Sequence, residues 1–180
     1  FVEAYPKSEK VQEIGFLSAK SYFQLSPVYS KDQEETVIAI EKLQDFINKN
    51  PNSEYMTAAS DLVRKLDYKL EKKAYNIALQ YNITGPFHRD YNSAISAFDN
   101  FLVEFPGSVF KEDAMFYKFD SAYKLATNSV DWKEVARVEK AIKYYNSLLF
   151  VFPETKYSIQ LKQMYQELQE IQNQSTTTKS

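Results

Sequence analysis

One pattern of residues occurs three times in this chain and constrains its fold more than any other feature. Each copy has apolar residues at offsets 0, 1, 4, 7 and 8, counted from a starting alanine: Ala39, Ala94 and Ala141. A 3.6-residue period returns these offsets to one side of an α-helix. Each copy therefore predicts an amphipathic helix with a buried face.

Every copy of the pattern ends in the same way. A proline stands at offset 12 and a Ser or Thr at offset 14, the latter being Ser53, Ser108 and Thr155. Proline disfavours helical geometry in the residue before it, and the hydroxyl can accept a backbone N–H at the start of the next helix. With Pro6 included, the prolines recur after 51 − 6 = 45, 106 − 51 = 55 and 153 − 106 = 47 residues. This period is typical of helical-hairpin repeats, so we expect an all-α, right-handed solenoid of helical hairpins with about seven helices.

The pattern also predicts the domain organisation. We expect one repeat domain over residues 1–173 and a disordered tail over 174–180, with a long helix from Glu54 to about Tyr81 and a turn at 82–87. Within the domain lie three repeats and a capping helix, at about 9–50, 54–105, 109–152 and 156–173. The first residues match the end of the pattern, so the chain starts in the middle of a repeat. We therefore expect residues upstream that complete this repeat and carry any targeting signal or lipid anchor.

Charge and composition exclude several classes of function. Lys and Arg (22) nearly balance Asp and Glu (24) without a basic run, which argues against nucleic-acid binding. A nucleophile triad or a zinc site requires His or Cys side chains, and the chain has one histidine and no cysteine. The adjacent carboxylates Glu112 and Asp113 stand near a predicted helix start and suit compensation of the helix dipole better than acid–base catalysis. We therefore expect no enzyme activity, no cofactor and no metal.

Aromatic residues are abundant, with 14 Tyr and 13 Phe. Most of those at pattern positions are expected in the core. Six others lie outside the pattern, where they either pack locally or lie exposed and bind peptide: Phe23, Tyr29, Phe87, Tyr91, Phe119 and Trp132.

The repeated pattern and three longer motifs resemble those of known families. Ala at offset 0, a large apolar residue at offset 4 and Pro at offset 12 match the second helix of the tetratricopeptide repeat, although offset 7 holds Phe or Leu instead of Ala. The motifs are Leu25-Ser26-Pro27-x-Tyr29-Ser30-x-Asp32-Gln33, Phe46-Ile47-Asn48-x-x-Pro51-Asn52-Ser53 and Lys65-Leu66-x-x-x-Leu70-x-x-Lys73-Ala74. Together they resemble the BamD-type outer-membrane-assembly lipoproteins, particularly the Bacteroidetes branch.

The resemblance implies a non-catalytic scaffold subunit of the outer-membrane β-barrel assembly machinery. Such a protein lies at the periplasmic face of the outer membrane and contacts the membrane only through an acylated N-terminal cysteine. Its C-terminal repeats dock on a POTRA domain of the barrel subunit, and its N-terminal repeats receive the C-terminal strand of the unfolded client.

For this chain, the client groove is then expected near residues 12–50 and the long helix, and the partner surface near residues 107–160. The candidate partner-binding residues are Phe23, Tyr29, Arg64, Lys111, Glu112 and Trp132. An alternative is another tetratricopeptide-type peptide-binding adaptor in the periplasm or cytosol.

Overall fold

Seven α-helices and no strand make up the part of the chain that the structure describes. The computed structural model describes residue 8 and residues 10–88 and 90–177, without the side chains of residues 88, 131, 132 and 175–177. The helices are α1 (Val11–Leu25), α2 (Glu34–Lys49), α3 (Met56–His88), α4 (Asn92–Glu104), α5 (Lys111–Thr127), α6 (Asp131–Val151) and α7 (Ser158–Thr177). This confirms the predicted all-α, tetratricopeptide-like fold class. None of these described helices is long and apolar enough to cross a membrane.

The three copies of the repeated pattern form α2, α4 and α6. Each of these helices ends two residues before the proline at offset 12. The alanine that starts each copy is fully buried in every case: Ala39, Ala94 and Ala141. A side chain no larger than a methyl group at this position lets a neighbouring helix approach closely, which explains why alanine recurs there.

The hydroxyl residues after the prolines organise the turns between helices. All three are buried, and each side-chain oxygen accepts the backbone N–H two residues further on: Ser53 from Tyr55 at 3.3 Å, Ser108 from Phe110 at 3.1 Å and Thr155 from Tyr157 at 3.3 Å. The predicted hydrogen bond is therefore present. It lies in the turn that precedes the helix and not at the N-cap residue, because α3, α5 and α7 each begin three residues after the hydroxyl.

Helix α3 is longer than the sequence predicts, and the predicted turn at 82–87 is wrong. The side chain of Asn82 is buried and donates to Asp120 Oδ2 and to Ser121 Oγ, both at 2.8 Å. These tertiary bonds keep the helix regular past the predicted end. Pro86 falls in the last turn, where its missing N–H removes a single helical hydrogen bond.

Helix α7 also exceeds its predicted end at residue 173. It continues to Thr177, so residues 174–177, which were expected in the disordered tail, are helical. The segment holds no Gly or Pro, and Leu168 and Ile171 anchor the preceding turn in the core, so the helix has no local reason to stop. Residues 178–180 lie outside the described part of the chain.

The chain divides into two compact units, Phe1–Lys73 and Ala74–Ser180. In the first unit, α1 and α2 pack as a hairpin against the first half of α3, around Phe16, Leu43, Phe46 and Leu66. In the second unit, α5 packs against α4, α6 and α7. Its core residues include Phe98, Phe101, Phe119, Leu148, Leu161 and Leu168. That residues 1–173 act as one repeat domain stays a prediction.

Candidate partner-binding surfaces

The loop between α1 and α2 is held in one conformation by a buried glutamine. The Gln33 side-chain amide donates to three carbonyl oxygens of its own loop: Val28 at 2.9 Å, Lys31 at 3.0 Å and Asp32 at 3.2 Å. Its side-chain oxygen accepts from the Thr36 hydroxyl at 2.8 Å. Both halves of the amide are therefore satisfied inside the first unit, as a buried polar group requires.

Two lysines of α3 fasten the same loop. The Lys69 ammonium donates to the Ser26 carbonyl at 3.2 Å, to Ser26 Oγ at 2.8 Å and to the Pro27 carbonyl at 3.1 Å. Lys73 donates to the Lys31 carbonyl at 2.9 Å. A cation beside the carbonyl-rich end of a helix is favourable, because the helix C-terminus carries partial negative charge. The loop motif and the α3 motif that carry the family resemblance thus interact directly.

The candidates Phe23 and Tyr29 lie beside these lysines. Phe23 is half-buried against the core of the first unit, and Lys69 Nζ lies 5.7 Å from its ring centre. Tyr29 is half-buried as well, with Lys72 Nζ 4.6 Å from its ring centre. Both rings therefore engage in local packing and cation–π contacts, which is one of the two alternatives that the sequence leaves open.

The candidate Arg64 is the exposed member of the set. Its side chain is 77% exposed and forms an ion pair with Asp61. These two residues, Lys65 and Tyr68 line a shallow cleft of about 350 Å³ on α3. An exposed pair of this kind contributes little to stability, so the guanidinium can rearrange toward a partner.

In the second unit, the candidate Glu112 is used inside the fold. Its Oε1 atom accepts from Thr155 Oγ1 at 2.6 Å and from the Lys156 backbone N–H at 3.0 Å. The Lys111 side chain beside it is half-buried. Glu112 therefore joins the start of α5 to the turn before α7, a role that sequence spacing alone does not show.

The neighbouring carboxylate reinforces this junction. Asp113 Oδ1 accepts from the Tyr157 hydroxyl at 2.8 Å and pairs with the Lys156 ammonium. Burial, together with the hydrogen bond to Asp113, raises the pKa of Tyr157 above its ordinary value. The hydrogen bond that Lys156 donates to Asp113 raises the pKa of Lys156. Both Tyr157 and Lys156 therefore keep their protons through the neutral range.

The sixth candidate, Trp132, belongs to the first turn of α6, but its side chain lies outside the described residues. The six candidates thus divide between the units. Phe23, Tyr29 and Arg64 lie in the first, and Lys111, Glu112 and Trp132 lie in the second.

The sequence analysis missed two of the three most exposed large apolar side chains described in the second unit, the third being Phe87. Phe150 on α6 is 88% exposed and Val103 on α4 is 82% exposed. Both stand at offset 9 of the repeated pattern, which lies about 180° round the helix from offset 0 at about 100° per residue. The signal was therefore present as an apolar residue on the side of the helix away from the buried face.

The residues that come directly after Phe150 line a small cleft. Its volume is about 380 Å³, and it is lined by Glu112, Val151, Phe152, Pro153 and Glu154. Phe150 directly precedes Val151 in the chain, so the exposed ring and this cleft both belong to the C-terminal end of α6.

Groups of three or more His, Cys, Asp or Glu side chains that could hold a metal ion are absent from the described residues.

Comparison with known families gives one match. The model of a family described as YfiO, outer membrane lipoprotein, matches the chain twice, over residues 1–88 and over residues 87–175. None of the curated proteins compared with the chain matches it. The two matched segments meet at the end of α3 and together span every helix described above except the last two residues of α7.

Proposed function

Because this chain belongs to the YfiO family of outer membrane lipoproteins, we propose that it is a non-catalytic scaffold subunit of the machinery that assembles β-barrel proteins in the outer membrane. The observation that carries the proposal is the family match over residues 1–175. Membership places the protein at the periplasmic face of the outer membrane. The helical-hairpin architecture supports a scaffold, since such repeats present long surfaces to protein partners.

The second unit docks on a POTRA domain of the barrel subunit, with Phe150 at the centre of the contact. Interface energy concentrates in a few large side chains that become fully desolvated, and aromatic residues are enriched among them. Phe150 loses nearly all of its water contact when a partner covers it, because it is 88% exposed in the free chain. Glu112 supports this surface from within, through Thr155 and Lys156.

The first unit receives the unfolded client. A groove of about 490 Å³ runs between α1 and α2, with small residues of α1 on one side and charged residues of α2 on the other. Gly15, Ser18 and Ala19 let a peptide backbone approach, and Lys42 and Lys49 provide donors for its carbonyl oxygens. This groove is a better client site than the half-buried rings of Phe23 and Tyr29.

Affinity capture tests the proposal. The tagged, full-length protein is captured from gently solubilised envelopes, and co-purifying proteins are identified by mass spectrometry. We expect a β-barrel protein with POTRA domains in near-equal amount. If none appears under conditions that preserve other envelope complexes, the protein is instead an adaptor for another peptide or partner.

A matched pair of variants tests the assigned surface. Phe150→Ser should lower the recovered barrel subunit at least tenfold, because one central aromatic residue commonly contributes 2 kcal/mol or more, which is about thirtyfold in affinity. Phe87→Ser removes an equally exposed phenylalanine, 85% accessible, from the end of α3 and should leave recovery unchanged. Equal recovery from both variants would refute the assignment of the surface.

A further inference from the structure

A cavity in the second unit is not used by the proposed docking or client functions. Its volume is about 520 Å³, within the range of small-molecule sites. Residues from the end of α3, the start of α4, the end of α5 and the first half of α6 line it: Pro86, Tyr91, Lys124, Leu125, Asn128 and Arg137.

Arg137 is the charged group without a carboxylate partner in this cavity. Its Nη1 atom donates to the Ser129 hydroxyl at 3.0 Å and to the Leu125 carbonyl at 3.4 Å, and both acceptors are neutral. Within the described part of the chain, no Asp or Glu pairs with it. A guanidinium carries five N–H donors in a planar fork, so Nε and Nη2 can grip a carboxylate with two parallel hydrogen bonds.

The second cation of the cavity is already neutralised. The Lys124 ammonium donates to Asp120 Oδ2 at 2.6 Å, and Asp120 is buried and also accepts from Asn82. Among the described side chains, Lys124, Asp120 and Arg137 together carry one net positive charge. The described part of the cavity therefore matches a ligand with a single negative charge.

The remaining walls specify the rest of the ligand. Pro86, Leu125 and the buried ring of Tyr91 offer apolar surface. The Asn128 side-chain nitrogen is occupied, since it donates to the Lys124 carbonyl at 2.8 Å, while its Oδ1 atom accepts nothing in the described contacts. An amide N–H of the ligand would donate to that oxygen.

We propose that this cavity binds a carboxylate that carries a neighbouring amide N–H and an apolar side chain. Arg137 grips the carboxylate, Asn128 accepts the amide N–H, and Pro86, Tyr91 and Leu125 enclose the side chain. Two sources share this chemistry: an N-acylated amino acid and the free C-terminus of a peptide. Its lining residues differ from those of the cleft after Phe150 and from those of the groove between α1 and α2.

A titration followed by NMR tests the proposal on the folded, full-length chain. The probes are N-acetyl-L-phenylalanine and its primary amide, which differ only in the charge of the terminal group. We expect saturable shifts of the Arg137 Nε–H and the Asn128 side-chain amide with the acid, and at least about tenfold weaker binding of the amide. The proposal is overturned if acid and amide bind equally, if the shifts lie away from the cavity, or if the acid fails to saturate at about 10 mM.

Variants assign the carboxylate contact to one residue. Arg137→Gln should weaken binding of the acid at least about tenfold, and Arg137→Lys should bind with intermediate strength because an ammonium lacks the planar fork. Lys162→Gln removes one positive charge from an exposed position of α7 that does not line the cavity, and it should bind like the wild type. Thermal unfolding checks that each variant is folded. If Arg137→Gln does not fold, the acid-against-amide comparison on the wild-type chain still decides the question.

The two sources are separated by ligand length. N-acetyl-alanyl-alanyl-phenylalanine should bind at least about tenfold more tightly than N-acetyl-L-phenylalanine if the natural ligand is a peptide terminus, because the added residues make further contacts. Equal affinity of the two acids indicates a small N-acylated amino acid. Both outcomes support the class of ligand, and binding by neither acid refutes it.

Discussion

Replacement of Gly85 by alanine is the sharpest test of how the second unit is packed. Gly85 lies in the last turn of α3, and its missing side chain gives room to the ring of Tyr91. A Cβ atom built there lies 2.5 Å from Tyr91 Cδ1 and 3.0 Å from Cζ, and still closer to Cε1. Tyr91 is 8% exposed and lines the cavity described above, so its ring can yield only by moving into that cavity and losing part of its packing.

The expected magnitude is the sum of two opposed effects. Alanine is favoured over glycine in a helix by up to about 1 kcal/mol. Overpacking a filled site costs about 1–3 kcal/mol, and the Cβ atom also crowds the Cδ atom of Pro86 that follows. The net effect is a loss of about 1–2 kcal/mol, which lowers Tm by about 5 °C in a chain of this size.

Gly15 provides a matched control in the first unit. A Cβ atom at Gly15 would lie 3.4 Å and 3.5 Å from two ring atoms of Phe46, which is ordinary van der Waals contact. Gly15→Ala should therefore keep the full helix-propensity gain and raise Tm by about 3 °C.

The assay is thermal unfolding followed by circular dichroism, with both variants beside the wild type. Gly85→Ala should melt below the wild type and Gly15→Ala above it. In a Tyr91→Leu background, the cost of Gly85→Ala should disappear, because the clashing ring is gone. A stabilising effect of Gly85→Ala in the wild-type background, or an undiminished cost in the Tyr91→Leu background, would refute the reasoning.

Three further predictions concern buried or bridging polar groups of the second unit. Asn82→Ala should cost about 3 kcal/mol in urea unfolding, because it removes two hydrogen bonds, one of them to the buried carboxylate of Asp120. Burial, with the hydrogen bond to Glu167, raises the pKa of Tyr123 to about 12 from its ordinary 10.0, so Tyr123 stabilises the fold fully below pH 10 and this contribution is lost as the pH rises through about 12. Tyr123→Phe should remove that part of the alkaline loss, measured as Tm at pH 9 and pH 11.5. Glu112→Gln should cost about 1 kcal/mol and increase amide hydrogen exchange in the turn before α7, because the charge-assisted bonds to Thr155 and Lys156 weaken.

Controls for these predictions are available in the same chain. Asn146→Ala deletes the same group from an exposed position of α6 and should change stability by no more than about 0.5 kcal/mol. Tyr81→Phe removes the hydroxyl of an exposed tyrosine, which should leave the alkaline loss of stability unchanged. The accounts of Asn82 and Tyr123 fail if these controls behave like the variants they match. The explanation for Glu112 fails if Glu112→Gln increases amide hydrogen exchange in the turn before α3 as much as in the turn before α7.

The repeated helices could be predicted because their signal is local. The 3.6-residue period places the apolar offsets on one face, and the fully buried Ala39, Ala94 and Ala141 show that each copy packs as its pattern indicates. Turn chemistry is local as well, so the hydrogen bonds accepted by the hydroxyl residues after the prolines were foreseeable to within one turn.

The end of α3 could not be predicted from local rules. Asn82, Gly85 and Pro86 together resemble a turn, but Asn82 makes its bonds with residues of α5 that are 38 and 39 positions away. Likewise Phe119 falls outside the repeated pattern yet is fully buried, with its ring centre 5.8 Å from that of Tyr145 on α6. Sequence spacing does not reveal which helices pack together, so these contacts need the structure.

The candidate sites were predicted less completely than the fold. Glu112 lies in the first turn of α5, where the sequence predicts that it compensates the helix dipole. Its hydrogen bonds to Thr155 and Lys156 join residues more than forty positions apart, so they could not be predicted. Arg137 gave no signal in the sequence, because a single arginine on an amphipathic helix is ordinary. Its importance follows only from the cavity it lines and from its neutral hydrogen-bond partners.

Site-specific photocrosslinking in living cells tests the central claim most directly. A photoreactive phenylalanine analogue is placed at Phe150 in one strain and at the equally exposed Phe87 in another. The account predicts that position 150 crosslinks to a β-barrel protein with POTRA domains and that position 87 does not. Crosslinks from position 150 to other proteins, with no product that contains a POTRA protein, would contradict it.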